Sequence, residues 1–185
     1  MINITTPLKH TLTALLLGVQ VASAYAQTCN PAIPLTRPDN RYESVANASP
    51  AGSEVRDKVT GLIWQRCLQG MDWNGITCTG TATTHNWLAA LDLARTAAAS
   101  TAATGKASAW RLPNHTELFS LAERACWQPA INSNWFPATS ASHVWSAPPS
   151  ANFTGMPRVV WFNDGSDALL SKHNVIGVRL VRSSQ

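Results

Sequence analysis

The chain has 185 residues, with 14 Lys and Arg against 10 Asp and Glu, for a formal net charge of +4. So weak a positive balance excludes an electrostatic nucleic-acid binder, and the length suits one ordinary domain behind a leader. Charged residues are only 13 % of the chain while tryptophan occurs eight times. Such a composition builds a large aromatic core or offers indole faces to a ligand.

Residues 1–26 read as a cleaved leader. Lys9 and His10 precede the apolar run Leu12 to Ala22, and Ala24-Tyr25-Ala26 is a small-x-small cleavage site. The run is too short for a permanent membrane span, so no stable membrane insertion is expected. Cys29 comes too late after the cleavage point to carry a lipid anchor. The expected product is a secreted chain, periplasmic or extracellular, beginning at Gln27. Residues 27–40 then form an extended lead-in held by Pro31, Pro34 and Pro38, and residues 41–185 form one domain.

All four cysteines lie in the exported part, where disulfides are the default. Four cysteines allow three pairings. Cys67 and Cys78 bracket a Gly-containing loop with little core of its own, which favours their pairing and leaves Cys29 with Cys126. In the chain-entropy account a long loop of this kind stabilises by about 4–5 kcal/mol and a short one by about 3 kcal/mol. Zinc is the rival use of the cysteines, but there is no C-x-x-C and no H-x-x-x-H.

Arg41 to Val45 is a first short strand. Glu54 to Asp57 and Leu62 to Arg66 form a hairpin around Lys58-Val59-Thr60-Gly61, with Val55, Leu62 and Trp64 inward. Asn74-Gly75 marks a turn in the loop after Cys67. Trp73 on that loop is expected to lie over the core beside the disulfide, with contact to a ligand as the alternative. Thr84 caps a first helix over about 85–98, and the Ala/Ser/Thr-rich stretch 99–109 is a mobile connector.

The stretch Trp110 to Leu118 is the node of the chain. Trp110 and Leu112 face one core from an extended arrival, Pro113 keeps Leu112 out of helical angles, and Asn114 with Glu117 makes a capping box. The second helix is expected from His115 to Cys126 with Leu118, Leu121, Ala122 and Ala125 inward. His143 to Ser146 is a strand, 148–157 an irregular loop, Arg158 to Phe162 a strand, and Asn163-Asp164-Gly165 a turn. Val175 to Val181 is a closing strand, central to a sheet. Its residues 176, 178 and 180 face the core, and the set holding Gly177 and Arg179 faces solvent or a partner.

In order along the chain stand Val55-x-Asp57-x-x-Thr60-Gly61-Leu62-x-Trp64, Trp87-x-x-Ala90, Trp110-Arg111-Leu112-Pro113-Asn114-x-x-Glu117-Leu118, Val144-Trp145-Ser146 and Val178-Arg179-Leu180-Val181-Arg182. Together, from about Arg41 to Arg182, they resemble the Lcl C-terminal domain family. The resemblance implies an α+β, C-type-lectin-like fold: two helices on a twisted, mostly antiparallel sheet with long loops, similar in topology to formylglycine-generating enzymes. The family's name-giving member is the tip of a bacterial collagen-like adhesin that binds sulfated glycosaminoglycans; this chain has no collagenous Gly-x-y stalk.

The expected function is a non-catalytic binding module for a glycan or another anionic surface polymer, adhesin-like. Arg158, Lys172, His173 and Arg179 would meet sulfate or carboxylate oxygens, and Trp145 and Trp161 would stack on sugar rings. A plain core role for the two tryptophans is the rival. Asn163, Asp164 and Asp167 are weak candidates for calcium, which a β-turn explains as well; no other cofactor is expected. A structural component of an envelope or fimbria-like assembly is the alternative. An enzyme akin to formylglycine-generating oxidases is disfavoured, because the cysteines are better used as bridges and no hydrolase or metalloprotease motif occurs.

Overall fold

The computed structural model describes residues 27–103, 108–150 and 153–184. The leader 1–26 and part of the connector, 104–107, lie outside them. Eleven strands and two helices are described: β1 (Thr28–Cys29), β2 (Tyr42–Ser44), β3 (Glu54–Asp57), β4 (Leu62–Gln65), β5 (Met71–Trp73), β6 (Cys78–Gly80), α1 (Trp87–Ala103), α2 (His115–Phe119), β7 (Cys126–Trp127), β8 (His143–Ser150), β9 (Phe153–Trp161), β10 (Ser166–Leu169) and β11 (Val181–Ser183). Every strand pair is antiparallel, in sheets ordered β11-β4-β3-β2, β10-β9-β8, β1-β7 and β5-β6. The fold is therefore α+β. It is stapled by Cys29–Cys126 and Cys67–Cys78, the two expected bridges.

The β3–β4 hairpin forms where Gly61 takes a φ of +71°, and Val55 pairs with Trp64 on its core face. Both are fully buried with Val181 of β11 beside them. The opposite face carries Glu54, Gln65 and Arg182, because side chains alternate along a strand. That second face is the one on which the candidate site is built.

Several local expectations yield to packing. Helix α1 starts two residues late because His85 bridges Ile176 and Asn86, not Thr84, accepts the Ala89 amide at 2.9 Å. It also continues to Ala103, since alanine is the best helix former. Helix α2 has the expected capping box but stops at Phe119. Beyond it Ala122 bridges Ile131 and the Glu123 amide bonds to the Ala130 carbonyl, at 3.0 Å, which helical geometry forbids. The buried Glu123 carboxylate also accepts from Thr36, Arg37 and Ala125. Those hydrogen bonds outweigh its desolvation and hold it below the usual carboxylate range. Leu118, Leu121, Ala122 and Ala125 remain buried.

The C-terminal third differs more. Residues 148–150 and 153–157, expected within an irregular loop, continue β8 and β9. Strand β10, unexpected, pairs with the end of β9 after a turn in which Asp164 Oδ1 accepts the Ser166 amide. The segment 176–180 is central but not a regular strand. It runs as a seam between the two larger sheets, bonded in turn to His85, Trp145, Gln69 and Gln65. Neighbours on both sides bury Gly177, Arg179 and Val181 along with Val178 and Leu180, so of the set expected to face solvent only Val175 does.

Candidate ligand-binding groove

An open groove of about 400 Å3 lies over the Glu54 and Gln65 end of the four-stranded sheet. Its lining brings together Ser49, Ser53, Glu54, Gln65, Gln69, Asp72, Trp73 and Trp110. Glu54 and Gln65 stand directly opposite each other in the β3–β4 register. Trp73 and Trp110 are each partly exposed.

Trp110 owes its place to the bridge between Arg111 and Val181, whose two backbone hydrogen bonds are 2.9 and 3.0 Å. In an antiparallel bridge the residue before Arg111 comes to lie opposite the residue after Val181, which sets Trp110 beside Arg182. The Arg182 guanidinium lies 5.4 Å from the Trp110 ring centroid and donates to Glu54 Oε2 at 2.5 Å. Trp110 was expected to face the core with Leu112. Leu112 is buried and Trp110 packs against the same cluster, but part of its ring stays open to the groove.

Trp73 is carried by the short β5–β6 hairpin. Asn74 Oδ1 accepts the Ile76 and Thr77 amides, at 2.9 and 2.8 Å, while Gly75 takes a φ of +97°. Cys78 pairs with Trp73 across the hairpin and is bonded to Cys67, so the disulfide anchors the strand that bears the ring. Trp73 Nε1 donates to the Ala51 carbonyl at 3.1 Å. A Cβ on Gly52 would sit 2.9 Å from that nitrogen, so only glycine lets the loop come this close. Arg66 lies over the Trp73 ring, 4.5 Å from its centroid, and 5.1 Å from that of Trp135. It donates to the Gly52 carbonyl at 2.5 Å, the Trp135 carbonyl at 3.2 Å and Ser44 Oγ at 3.1 Å. Burial pulls its pKa below the usual arginine value.

The residues expected to bind ligand do not form one site. Trp145 is fully buried and donates from Nε1 to the His85 carbonyl at 2.7 Å; it belongs to the core. Arg179 is fully buried too, a strut rather than a surface cation. Its Nη1 donates to the Gln65 carbonyl at 2.7 Å and also to that of Arg66, and its Nη2 donates to Thr139 Oγ1 at 2.7 Å. Burial pushes its pKa down to about 9, so it stays charged at neutral pH. Arg158 pairs with Asp167 at 2.5 Å, and His115 approaches the same carboxylate at 3.2 Å. Lys172 rests 4.9 Å from the Trp87 ring centroid. Trp161 stacks on His143 at 5.3 Å, and His173 is exposed.

Of the calcium candidates Asn163, Asp164 and Asp167, Asp164 Oδ1 accepts from the Ser166 amide and hydroxyl, and Asp167 accepts from Arg158. Among the described residues no group of three or more His, Cys, Asp and Glu side chains could hold a metal ion. None of their helices is long and apolar enough to cross a membrane. The groove was hidden from sequence because its lining comes from three separate stretches; the lone hint was Trp73, between two cysteines that bridge.

No curated protein and no solved structure matches this chain. The model of the Lcl C-terminal domain matches residues 53–182, which include both groove tryptophans and the β3–β4 hairpin, and the chain belongs to that family.

Proposed function

We propose that this protein is an exported, non-catalytic module that binds a glycan in the Trp73–Trp110 groove. The observation that carries the reading is two partly exposed indoles sharing one open groove with the hydroxyls of Ser49 and Ser53, the amides of Gln65 and Gln69, and the carboxylate of Glu54. Sugars present C–H faces that pack on indoles and hydroxyls that exchange hydrogen bonds with such groups. The C-type-lectin-like fold implied by the family resemblance agrees with a surface-ligand role. All four cysteines are in disulfides, which leaves no thiol for chemistry like that of formylglycine-generating oxidases, and no cofactor is part of the proposal. The bridges favour an oxidising compartment, in keeping with a leader cleaved after Ala26.

A second reading places an anionic polymer on residues 143–182. In its favour Arg158, Lys172, His173 and Trp161 are at least partly exposed; against it, Arg179 and Trp145 are withdrawn into the core. A component of an envelope or fimbria-like assembly is the remaining alternative. A glycan array probed with the oxidised protein and with its Trp73→Ala variant tests the groove. Hits that vanish in the variant while its melting temperature holds are expected; hits that persist unchanged would place binding elsewhere.

A further inference from the structure

We infer that the groove selects uncharged sugars over sulfated or uronate-bearing glycans; this rests on the glycan reading of the groove. Each groove indole is backed by a buried arginine, Trp73 by Arg66 at 4.5 Å and Trp110 by Arg182 at 5.4 Å. The two guanidiniums belong to residues only 5 % and 7 % exposed, and neither residue lines the groove. The charged residues that do line it are Glu54 and Asp72, with no Lys, Arg or His. Glu54 is as buried as the arginines and paired with Arg182, so an anionic ligand entering the groove meets the exposed Asp72 carboxylate, while the cations that would attract it lie behind rings or are already bonded to Glu54.

What the partly exposed indoles offer is apolar contact, and what Ser49, Ser53, Gln65 and Gln69 offer is uncharged hydrogen bonding. A neutral pyranose, with one C–H face and a rim of hydroxyls, uses both.

Calorimetric titration of the oxidised, exported protein at pH 6 tests the inference. The probes are three neutral hexasaccharides (cellohexaose, maltohexaose and the hexamer of N-acetylglucosamine) and a heparin hexasaccharide. At least one neutral hexamer is expected to bind about tenfold or more tighter than the heparin probe, and to lose that binding in Trp73→Ala and in Trp110→Phe, in protein whose melting temperature shows that it is folded. A Trp73-dependent preference for the heparin probe would overturn the charge inference and leave the groove reading intact. Absence of any Trp73- or Trp110-dependent binding would overturn both.

Discussion

Two regions of this molecule bury arginine and use tryptophan with opposite outcomes, Arg179 lying over Phe136 in one and Arg66 and Arg182 over indoles in the other. In the C-terminal third, Trp145 and Arg179 are drawn wholly inside, where Arg179 spends its donors on the Gln65 and Arg66 carbonyls and on Thr139. Around the groove, Arg66 and Arg182 are buried in the same way, but the indoles they support keep part of their surface open. The difference lies in what covers the ring. Trp145 sits under α1 and the 176–180 seam, within a cluster with Trp87, Leu112, Val159 and Val178. Trp73 and Trp110 come from a two-stranded hairpin and a strand-to-helix entry, and no residue of α1 or α2 is among those lining their groove. Solvent access, and not the presence of a neighbouring arginine, decides whether a ring is core or platform.

The sharpest way to break this contrast is to truncate one ring on each side. Trp145→Ala is expected to cost about 3–5 kcal/mol, from lost burial and the cavity left behind, while the folded fraction binds glycan as the parent does. Urea denaturation paired with a titration reads both quantities. A binding loss in folded Trp145→Ala would merge the two regions into one site.

A smaller effect is expected at the node that carries Trp110. Glu117 completes the Asn114 capping box and pairs with Arg111 through both carboxylate oxygens, each at 2.7 Å. Glu117→Gln should cost about 0.5–2 kcal/mol at pH 7. Although burial opposes ionisation, the Arg111 and Asn114 hydrogen bonds outweigh it, so the folded pKa lies below the usual glutamate value. The contribution is therefore full above the unfolded pKa, about 4.3, and is lost as the pH falls through the lower folded value. Melting curves of parent and variant should converge in acid. A constant gap down to pH 2 would show that the carboxylate's charge is irrelevant to the cap.

The smallest effect concerns the surface cations. Arg158→Ala with Lys172→Ala should shift stability by no more than about 1 kcal/mol, because exposed pairs such as Arg158–Asp167 contribute little. Elution of this variant from a heparin column at the parent's salt concentration would remove residues 143–182 from any anionic site. Earlier elution would restore that reading and set it beside the groove as a separate surface.

The features that could be read without a structure are those whose causes lie within a few residues or in the covalent chain. The β3–β4 hairpin, the Asn114–Glu117 cap, the Asn74-Gly75 turn and the short Cys67–Cys78 loop are of this kind. So was the family, since its motifs are contiguous runs. Tertiary structure alone decided where α2 ends, because Glu123 is claimed by Thr36 and Arg37, far off in sequence. It also decided that Arg179 faces inward, since a strand's period of two names two faces but not what packs on each. The groove belongs to the same class: residues 49–54, 65–73 and 110 meet only once the sheet, the disulfide and the Arg111–Val181 bridge are in place. Burial is a property of the partners a residue finds, and those partners are not written next to it in the chain.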